Sequence, residues 1–309
     1  MSEIKKEIII VGAGPAGLTA AMYAKRANKD IILLEPNLVG GQLTWSSIVE
    51  NYPGFESGIK GMELAEHMRK QVEGIGVSII SSKATEITQQ DSSYLIKTEK
   101  DSYQAQAIII STGAFPKKLN VPGESDYIAK GVSYCATCDA PLFKNKIVAV
   151  IGGGDVALEE ALYLSEYASK VYLIHRRQGF RAAAVLEDKV KNNKKIELIL
   201  DSTVESIEGD KVVKQLEIKN KLNQEKRTIE LEGVFIFIGL NPNSELVETL
   251  VKTDEDKLIL TDESMACSVK GVFAAGDVRR KEYRQIVLAC ADGAIAGLSA
   301  SRYINENCN

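Results

Sequence analysis

Glu7-Ile8-Ile9-Ile10-Val11-Gly12-Ala13-Gly14-Pro15-Ala16-Gly17 joins an apolar run of strand type to three glycines, and an alanine-rich stretch follows to about Ala27. An uninterrupted apolar run, a glycine turn and a helical segment are the parts of a buried parallel strand that feeds a helix. Such a turn brings backbone N–H groups at the helix N-terminus within reach of a pyrophosphate. A second strand, Asp30 to Leu34, ends at Glu35, 18 residues after Gly17. A carboxylate there can accept hydrogen bonds from an adenosine ribose, so the glycine pattern stands in the context that a dinucleotide site requires.

Further along, the same pattern returns 140 residues later without a gap. Ile147 to Arg177, IVAVIGGGDVALEEALYLSEYASKVYLIHRR, aligns with the stretch that begins at Glu7. Gly12 meets Gly152, Gly14 meets Gly154, Leu18 meets Leu158, Ala21 meets Ala161, Tyr23 meets Tyr163 and Leu33 meets Leu173. The chain therefore carries two nucleotide-binding units, and they differ after the second strand. Where the first has Glu35, the second has His175, then Arg176 and Arg177, with Arg181 a helical turn further if a helix begins there. A carboxylate repels a 2′-phosphate, whereas guanidinium groups hold it bidentately. The second unit is expected to choose NADP over NAD, and the first to take a dinucleotide with a free ribose, such as FAD. Without the glycines upstream, His-Arg-Arg would read as a solvated basic loop.

Directly before the second glycine turn stands Tyr134-Cys135-Ala136-Thr137-Cys138-Asp139. Two thiols two residues apart can close into a disulfide and reopen, and Asp139 could carry the proton of such a cycle. The same spacing is half of a zinc site, or simply two small buried residues. The hexapeptide alone leaves all three open. Zinc loses ground because the chain has only two histidines, His67 and His175, and the latter belongs to the NADP-type pattern. No metal is expected. Cys267, Cys290 and Cys308 have no partner spacing and read as core or surface thiols.

The remaining chain supplies punctuation. Gly40-Gly41-Gln42-Leu43 and Asn51-Tyr52-Pro53-Gly54 are turn clusters, the first with a polar side chain ready to face a ring. A helix from about Gly61 to Glu73 precedes strands near 77–80, 84–89, 94–98 and 103–111, a β-meander expected to lie on the parallel sheet. Ser111-Thr112-Gly113-Ala114-Phe115-Pro116 breaks the strand pattern, and Gly239-Leu240-Asn241-Pro242-Asn243 breaks it again after a strand over 234–238. Boundaries placed there give a discontinuous domain, 1–116 with 242–309, and an inserted domain, 117–241, that carries the cysteine pair. The C-terminal segment holds Gly271-Val272-Phe273-Ala274-Ala275-Gly276-Asp277, in which Asp277 could accept from a ribityl hydroxyl. It continues through Tyr283-Arg284-Gln285-Ile286 into a final helix with Ala289, Ala291, Gly293, Ala296 and Gly297 on one face. The fold class expected is α/β, with two Rossmann-like dinucleotide-binding domains of three-layer ββα type, the second inserted into the first.

Composition agrees with a globular protein: 309 residues, 45% hydrophobic and 26% charged, enough for roughly two domains. A net charge of −4 offers no footprint for nucleic acid. The first residues contain only six apolar positions before the glycines, too few for a signal segment, and no stretch approaches the ~18 needed to span a bilayer. No membrane partner is expected, and the location expected is cytoplasmic.

With these residues assembled, the chain resembles the low-molecular-weight thioredoxin reductases essentially end to end. GxGPAG, GGQL, CATCD, GGGxxAxEEAxYL, HRRxxFRA and GVFAAGDV-x5-RQ occur in that order. The resemblance implies a homodimeric flavoenzyme that passes electrons from NADPH to FAD, to the cysteine pair and then to the disulfide of thioredoxin. It implies an FAD site of Gly12, Gly14, Pro15, Ala16, Gly17, Glu35, Gly40, Gly41, Gln42, Leu43, Asn51, Thr112, Gly113, Asp277, Arg284, Gln285 and Ile286. It implies an NADPH site of Gly152, Gly154, Asp155, Val156, His175, Arg176, Arg177 and Arg181. By the same resemblance Cys138 forms the charge-transfer thiolate beside the flavin, Cys135 attacks thioredoxin, Asp139 serves as acid–base residue, and the inserted domain swings about the two breaks.

Two positions depart from the commonest pattern. Ala140 follows CATCD where glycine is frequent, and Val156 stands where a small hydroxyl residue is frequent. Relatives fed by ferredoxin lack the pyridine-nucleotide motifs, which are intact here. The competing functions are a flavin disulfide reductase for another thiol carrier, and a non-catalytic flavoprotein that senses redox state through the cysteines.

Overall fold

A computed structural model describes residues 4–46 and 48–307, so Cys308 lies outside the described residues. The chain divides into two compact units, Met1–Phe115 with Asn241–Asn309, and Pro116–Leu240.

The first unit begins with β1 (Ile4–Val11), α1 (Pro15–Arg26) and β2 (Ile31–Leu34), the strands parallel with Ile8 opposite Ile31 and Val11 opposite Leu34. Alternate residues of β1 serve opposite faces, as the period of a strand demands. Ile8 and Ile10 join Leu18, Ala20 and Ala24 of α1 in one core, whereas Ile9 and Val11 join Tyr94, Ile96 and Val247 in another. A strand buried on both faces needs an apolar run, which explains why no polar residue interrupts Ile8 to Val11.

Next come α2 (Gly61–Gly74), β3 (Ser78–Ile80) parallel to β2, and the antiparallel β4 (Ala84–Gln90), β5 (Ser93–Thr98) and β6 (Ser102–Ile110). The meander packs on one face of the parallel sheet, with Ile87, Tyr94 and Ile96 against Ile9, Val11 and Ile32, and it is also hydrogen-bonded to that sheet, in the order β3-β2-β1-β6-β5-β4. The cause is the length of β6. One edge runs along β1 from Tyr103 to Ile110, and the start of the other pairs with β5 over Ser102–Ala105. Gln104 and its polar neighbours in this first half alternate with buried Tyr103 and Ala105, and the second half turns wholly apolar.

After β7 (Ala114–Pro116) the second unit forms β8 (Val132–Ser133), the single turn α3 (Ala136–Asp139), β9 (Ile147–Gly152), α4 (Asp155–Tyr167), β10 (Lys170–Ile174), α5 (Ala184–Asn192) and β11 (Ile196–Ile199). Three antiparallel strands follow, β12 (Ser202–Gly209), β13 (Val213–Asn220) and β14 (Lys226–Glu230), and then β15 (Gly233–Phe237) returns to the parallel sheet. That sheet has the order β11-β10-β9-β15-β8. One of its faces packs α4 through Leu158, Ala161 and Leu164, and the other packs Val204, Leu216 and Ile218 of the antiparallel sheet. The layers are thus sheet, sheet and helix, the three-layer ββα arrangement.

The chain returns through β16 (Leu240–Pro242), and β17 (Val272–Ala274) pairs parallel with the end of β6, Val272 opposite Ile108. The last helix, α6 (Ile286–Asn307), packs Ala289, Gly293, Ala296 and Ala300 inward, and small residues let α6 approach α1 closely. Ala291, expected on that face, points to solvent. Among the described residues no helix is long and apolar enough to cross a membrane.

Candidate functional site

In the first unit α1 starts at Pro15, with Gly14 extended at its N-cap and no side chain capping it. The leading N–H groups of the helix therefore stay available to an anion. Gly12 has φ +103°, and a Cβ on it would stand 2.5 Å from the Ser111 carbonyl oxygen, so only glycine serves there. Ser111 Oγ donates within reach of the carbonyls of Val11 and Gly12, at 3.0 and 2.9 Å, and ties the turn to the end of β6. Glu35 is buried and accepts from Ala13 N–H at 2.8 Å and Asn37 N–H at 2.9 Å. Gly40 N–H donates to the Ala13 carbonyl at 2.8 Å, and Gly41 lies against Gly14.

The other predicted residues of this unit fall into two groups. Gln42 Nε2 donates to the Ala114 carbonyl at 2.5 Å beside Gly113, and Thr112 and Asn243 exchange hydrogen bonds of 2.6 and 2.8 Å. Asn51 Nδ2 donates to Gln285 Oε1 at 3.1 Å, just before α6. Leu43 instead sends its side chain into a small core with Val49, Ile59 and Leu64, and Ile286 packs against it. Asp277 Oδ1 lies 3.2 Å from Lys281 Nζ yet accepts no hydrogen bond, and Arg284 Nε is buried without a hydrogen-bond partner. Burial pushes the Arg284 guanidinium below its usual value. A buried acceptor and a buried donor without hydrogen-bond partners, in the same unit as an uncapped helix N-terminus, fit a ligand that brings both hydroxyls and phosphates.

In the second unit Gly154 is extended at the N-cap of α4, again with no side-chain cap. Here the arginine-bearing loop folds back on the turn: Arg181 N–H donates to the Gly153 carbonyl at 2.7 Å, and Ala183 N–H donates to Asp155 Oδ1 at 2.8 Å. Arg176, Arg177, Arg181 and Val156 are exposed. His175 is not among them. Its ring lies buried against Gly153, where a Cβ would stand 2.1 Å from Nδ1, and it stacks on Phe180 at 5.4 Å between centroids. Burial, with Arg176 and Arg177 adding to it, pushes the His175 pKa down, so the ring is neutral at pH 7. Its Nε2 is buried with no hydrogen-bond partner.

The cysteines belong to the second unit. Cys135 and Cys138 form a disulfide, with Cys135 at the N-cap of α3 and Cys138 N–H aimed at Cys135 Sγ across 3.2 Å. On reduction that N–H favours the thiolate on Cys135. Asp139 N–H donates to the Cys135 carbonyl at 3.3 Å, and the Asp139 carboxylate accepts from Ser133 Oγ at 2.6 Å. Burial pushes the Asp139 carboxyl above the usual carboxylate range, against the lowering effect of the serine. Among the described residues no cluster of three or more His, Cys, Asp or Glu side chains could hold a metal ion.

Residues 6–293 match the family model described as pyridine nucleotide-disulphide oxidoreductase. Thioredoxin reductase of Peptoclostridium acidaminophilum is 41% identical over 97% of the chain and 98% of its own length. This chain belongs to the thioredoxin reductases. Thioredoxin reductase of Bacillus subtilis is 42% identical over 99% of the chain and 97% of its own length. The crystal structure of thioredoxin reductase from Streptococcus pyogenes superposes with a TM-score of 0.93 at 41% identity, covering 99% of this chain and all of that one. The chain is thus a disulfide oxidoreductase, as its motifs led us to expect.

Against this thioredoxin reductase framework, the structure adds residues that the expected site does not include. Ser111 anchors the first turn, Gly153 makes room for His175, and Ser133 holds Asp139. Ser111 and Ser133 sit beside a motif, each at a strand end, and Gly153 is a motif glycine that was given no role of its own. Cys267 is a core thiol whose pKa burial pushes up to about 12. Cys290 lies half-buried between the Pro15 carbonyl at 3.9 Å and the Tyr52 hydroxyl at 3.8 Å.

Proposed function

We propose that the chain is an NADPH-dependent thioredoxin reductase, with FAD held by residues 1–116 and 242–309 and NADPH held by 117–241 beside the cysteine pair. The observation that carries this is the pair itself: a closed disulfide with an N–H on Cys135 Sγ and a carboxyl of raised proton affinity, on the same unit as the arginine-bearing turn. The names of the relatives support the substrate. In the first unit Gly12 to Gly17, Glu35, Gly40, Gly41, Asp277 and Arg284 would hold the flavin nucleotide. In the second, Gly152, Gly154 and Asp155 would set the pyrophosphate and Arg176, Arg177 and Arg181 the 2′-phosphate, with His175 as the floor of the turn. Bound FAD would supply the two-electron step between NADPH and the disulfide.

The remaining steps are thiol chemistry of the chain's own residues. The electron pair breaks the Cys135–Cys138 bond, and the Cys135 thiolate attacks one sulfur of thioredoxin's disulfide. A mixed disulfide forms, and the expelled thiolate takes its proton from Asp139. Cys138 then attacks the Cys135 sulfur, which restores the internal disulfide and releases the thioredoxin dithiol. One NADPH and one proton are consumed per disulfide reduced. The apolar stripe of α6, Val287, Leu288, Ile295 and Leu298, is exposed and supports a homodimer. We place the protein in the cytoplasm, where NADPH and thioredoxin meet.

The test is a titration of the purified yellow protein. NADPH should bleach the flavin absorbance, NADH should do so poorly, and added thioredoxin should restore the colour through many turnovers. Failure of NADPH to bleach the flavin would remove the NADP assignment. Cys135→Ser and Cys138→Ser should each abolish thioredoxin reduction and keep FAD bound; loss of flavin from both would make the pair structural.

A further inference from the structure

The last residue of β8 sits where three polar groups of the cysteine region meet. Ser133 is 5% exposed. Its Oγ receives Cys135 N–H at 3.1 Å, lies 3.2 Å from the Cys135 carbonyl, and lies 2.6 Å from Asp139 Oδ2. The strand that carries it is held at the edge of the parallel sheet, where Ser133 pairs with the fully buried Phe235 of β15.

We propose that Ser133 is a positioning residue for Asp139, holding the carboxyl beside the cysteine pair in both of its protonation states. The inference rests on the reading of Asp139 as the proton carrier, and it deepens that reading. A serine hydroxyl has one proton and two acceptor lone pairs. When Asp139 is ionised the hydroxyl donates to Oδ2, and the 2.6 Å distance is that of a charge-assisted bond. When Asp139 is protonated, its own O–H can donate to Oγ, and the hydroxyl proton turns to the Cys135 carbonyl at 3.2 Å. The Cys135 N–H stays on the remaining lone pair throughout. Giving up and regaining a proton therefore requires rotation of one hydroxyl and no movement of heavy atoms. The carboxyl can cycle with every turnover without releasing α3 from β8.

Several other groups near Asp139 titrate and must be separated from it. Cys135 and Cys138 are on its own element, and Tyr134, whose hydroxyl donates to Glu124 at 2.9 Å, precedes them. Helix α4 packs on α3 and carries Asp155, Glu159, Glu160 and Glu166, with the Glu160 carboxyl pushed up to about 7 by burial and by Glu159. The Asp139 limb of a pH–rate profile is accordingly defined by substitution: it is the limb that Asp139→Asn removes.

The experiment is the pH dependence of kcat/KM for thioredoxin, measured on flavin-loaded wild type, Asp139→Asn, Ser133→Ala, Ser133→Thr and the Asp139→Asn/Ser133→Ala double variant. Loss of a donor to the ionised form raises proton affinity, so Ser133→Ala should move the Asp139 limb to higher pH by about one unit, a tenfold change in that affinity. Ser133→Thr, which keeps a hydroxyl, should return the limb toward its wild-type position. In the Asp139→Asn background Ser133→Ala should cost nothing further. A limb that stays in place in Ser133→Ala while Asp139→Asn removes it would overturn the role of Ser133 and leave Asp139 standing. So would a loss that adds to that of Asp139→Asn, since it would mark simple packing. A wild-type profile in Asp139→Asn would instead defeat the proton-carrier reading, and this inference with it.

Discussion

The two glycine turns begin alike and end in opposite chemistry. Both come after a buried parallel strand, both place an extended glycine at the N-cap of a helix, and neither helix has a side-chain cap. At the end of the second strand, however, the first turn is closed by a carboxylate and the second by an imidazole. Glu35 reaches back and binds the Ala13 N–H, so the first turn is fixed by a hydrogen bond from outside it. His175 instead fills the space over Gly153 with its ring, and the loop beyond it is tied down through Arg181 and Ala183. One backbone frame thus supports either sign of charge at its rim. A buried carboxylate needs donors, and it has one from the first turn and one from Asn37 just after it; the buried ring packs by contact, and the neighbouring arginines face solvent.

The sharpest way to break the comparison is to add one methyl group to each turn. Gly12→Ala puts a Cβ 2.5 Å from the Ser111 carbonyl at φ +103°, and the protein should lose its flavin altogether, read as absorbance after gel filtration. Gly153→Ala puts a Cβ 2.1 Å from His175 Nδ1 and should keep the flavin. Its NADPH-driven turnover should fall at least ~100-fold, because a misplacement near 1 Å in a binding turn has that cost. Equal flavin loss in both variants would mean that the two turns do not serve separate nucleotides.

A smaller effect separates the rims. Arg176→Ala with Arg177→Ala should raise the KM for NADPH by roughly 10- to 100-fold, the worth of a charge-assisted bond to phosphate, and leave the KM for NADH nearly unchanged. An equal rise for both coenzymes would refute the 2′-phosphate role.

Much of the fold and the site is legible in the residues, and the parts that are not share a cause. The strands, the two turns and the cysteine pair are local patterns: apolar runs, glycines and fixed spacings reveal them without reference to the rest of the chain. The extension of the first sheet by the meander is invisible in sequence because it depends on which edge of β6 stays free, a property of pairing and not of β6 itself. The antiparallel sheet β12–β14 escapes notice because its strands alternate buried Val204, Leu216 and Ile218 with charged neighbours in a stretch without motifs. His175 reads as one group with the arginines after it. In the fold it parts from them, because the strand end buries one side chain and the loop exposes the next two. Ser133 leaves no trace in spacing at all; only the return of α3 onto β8 brings its hydroxyl to Asp139.

The buried ring also gives the second turn a pH dependence. Burial holds the folded-state pKa of His175 below the ordinary value, so the unfolded chain binds the extra proton more readily. The contribution of the neutral ring is complete above the unfolded value, about 6.5, and is lost as pH falls from there toward the folded value. Melting followed by a probe in the second unit should therefore shift down between pH 7 and pH 5.5. His175→Asn should flatten that slope, and an unchanged slope would place the titrating group elsewhere.

The smallest expected effect tests whether the second turn is tuned below its best. Val156 occupies the second position of α4, exposed and unable to donate a hydrogen bond. A hydroxyl there would add one donor beside the uncapped N–H groups of Gly154 and its successors, worth on the order of 1 kcal/mol, or about fivefold in affinity. Val156→Ser should lower the KM for NADPH by that factor. Because the pyrophosphate is common to both coenzymes, the KM for NADH should fall equally. The arginine substitutions are expected to discriminate between the coenzymes and the valine substitution is not, so the two measured together separate the part of the turn that holds phosphate from the part that chooses between nucleotides. A gain confined to NADPH would place Val156 at the 2′-phosphate, and would require the loop from Arg176 to Arg181 to close over the start of α4 further than its bond from Arg181 to Gly153 indicates.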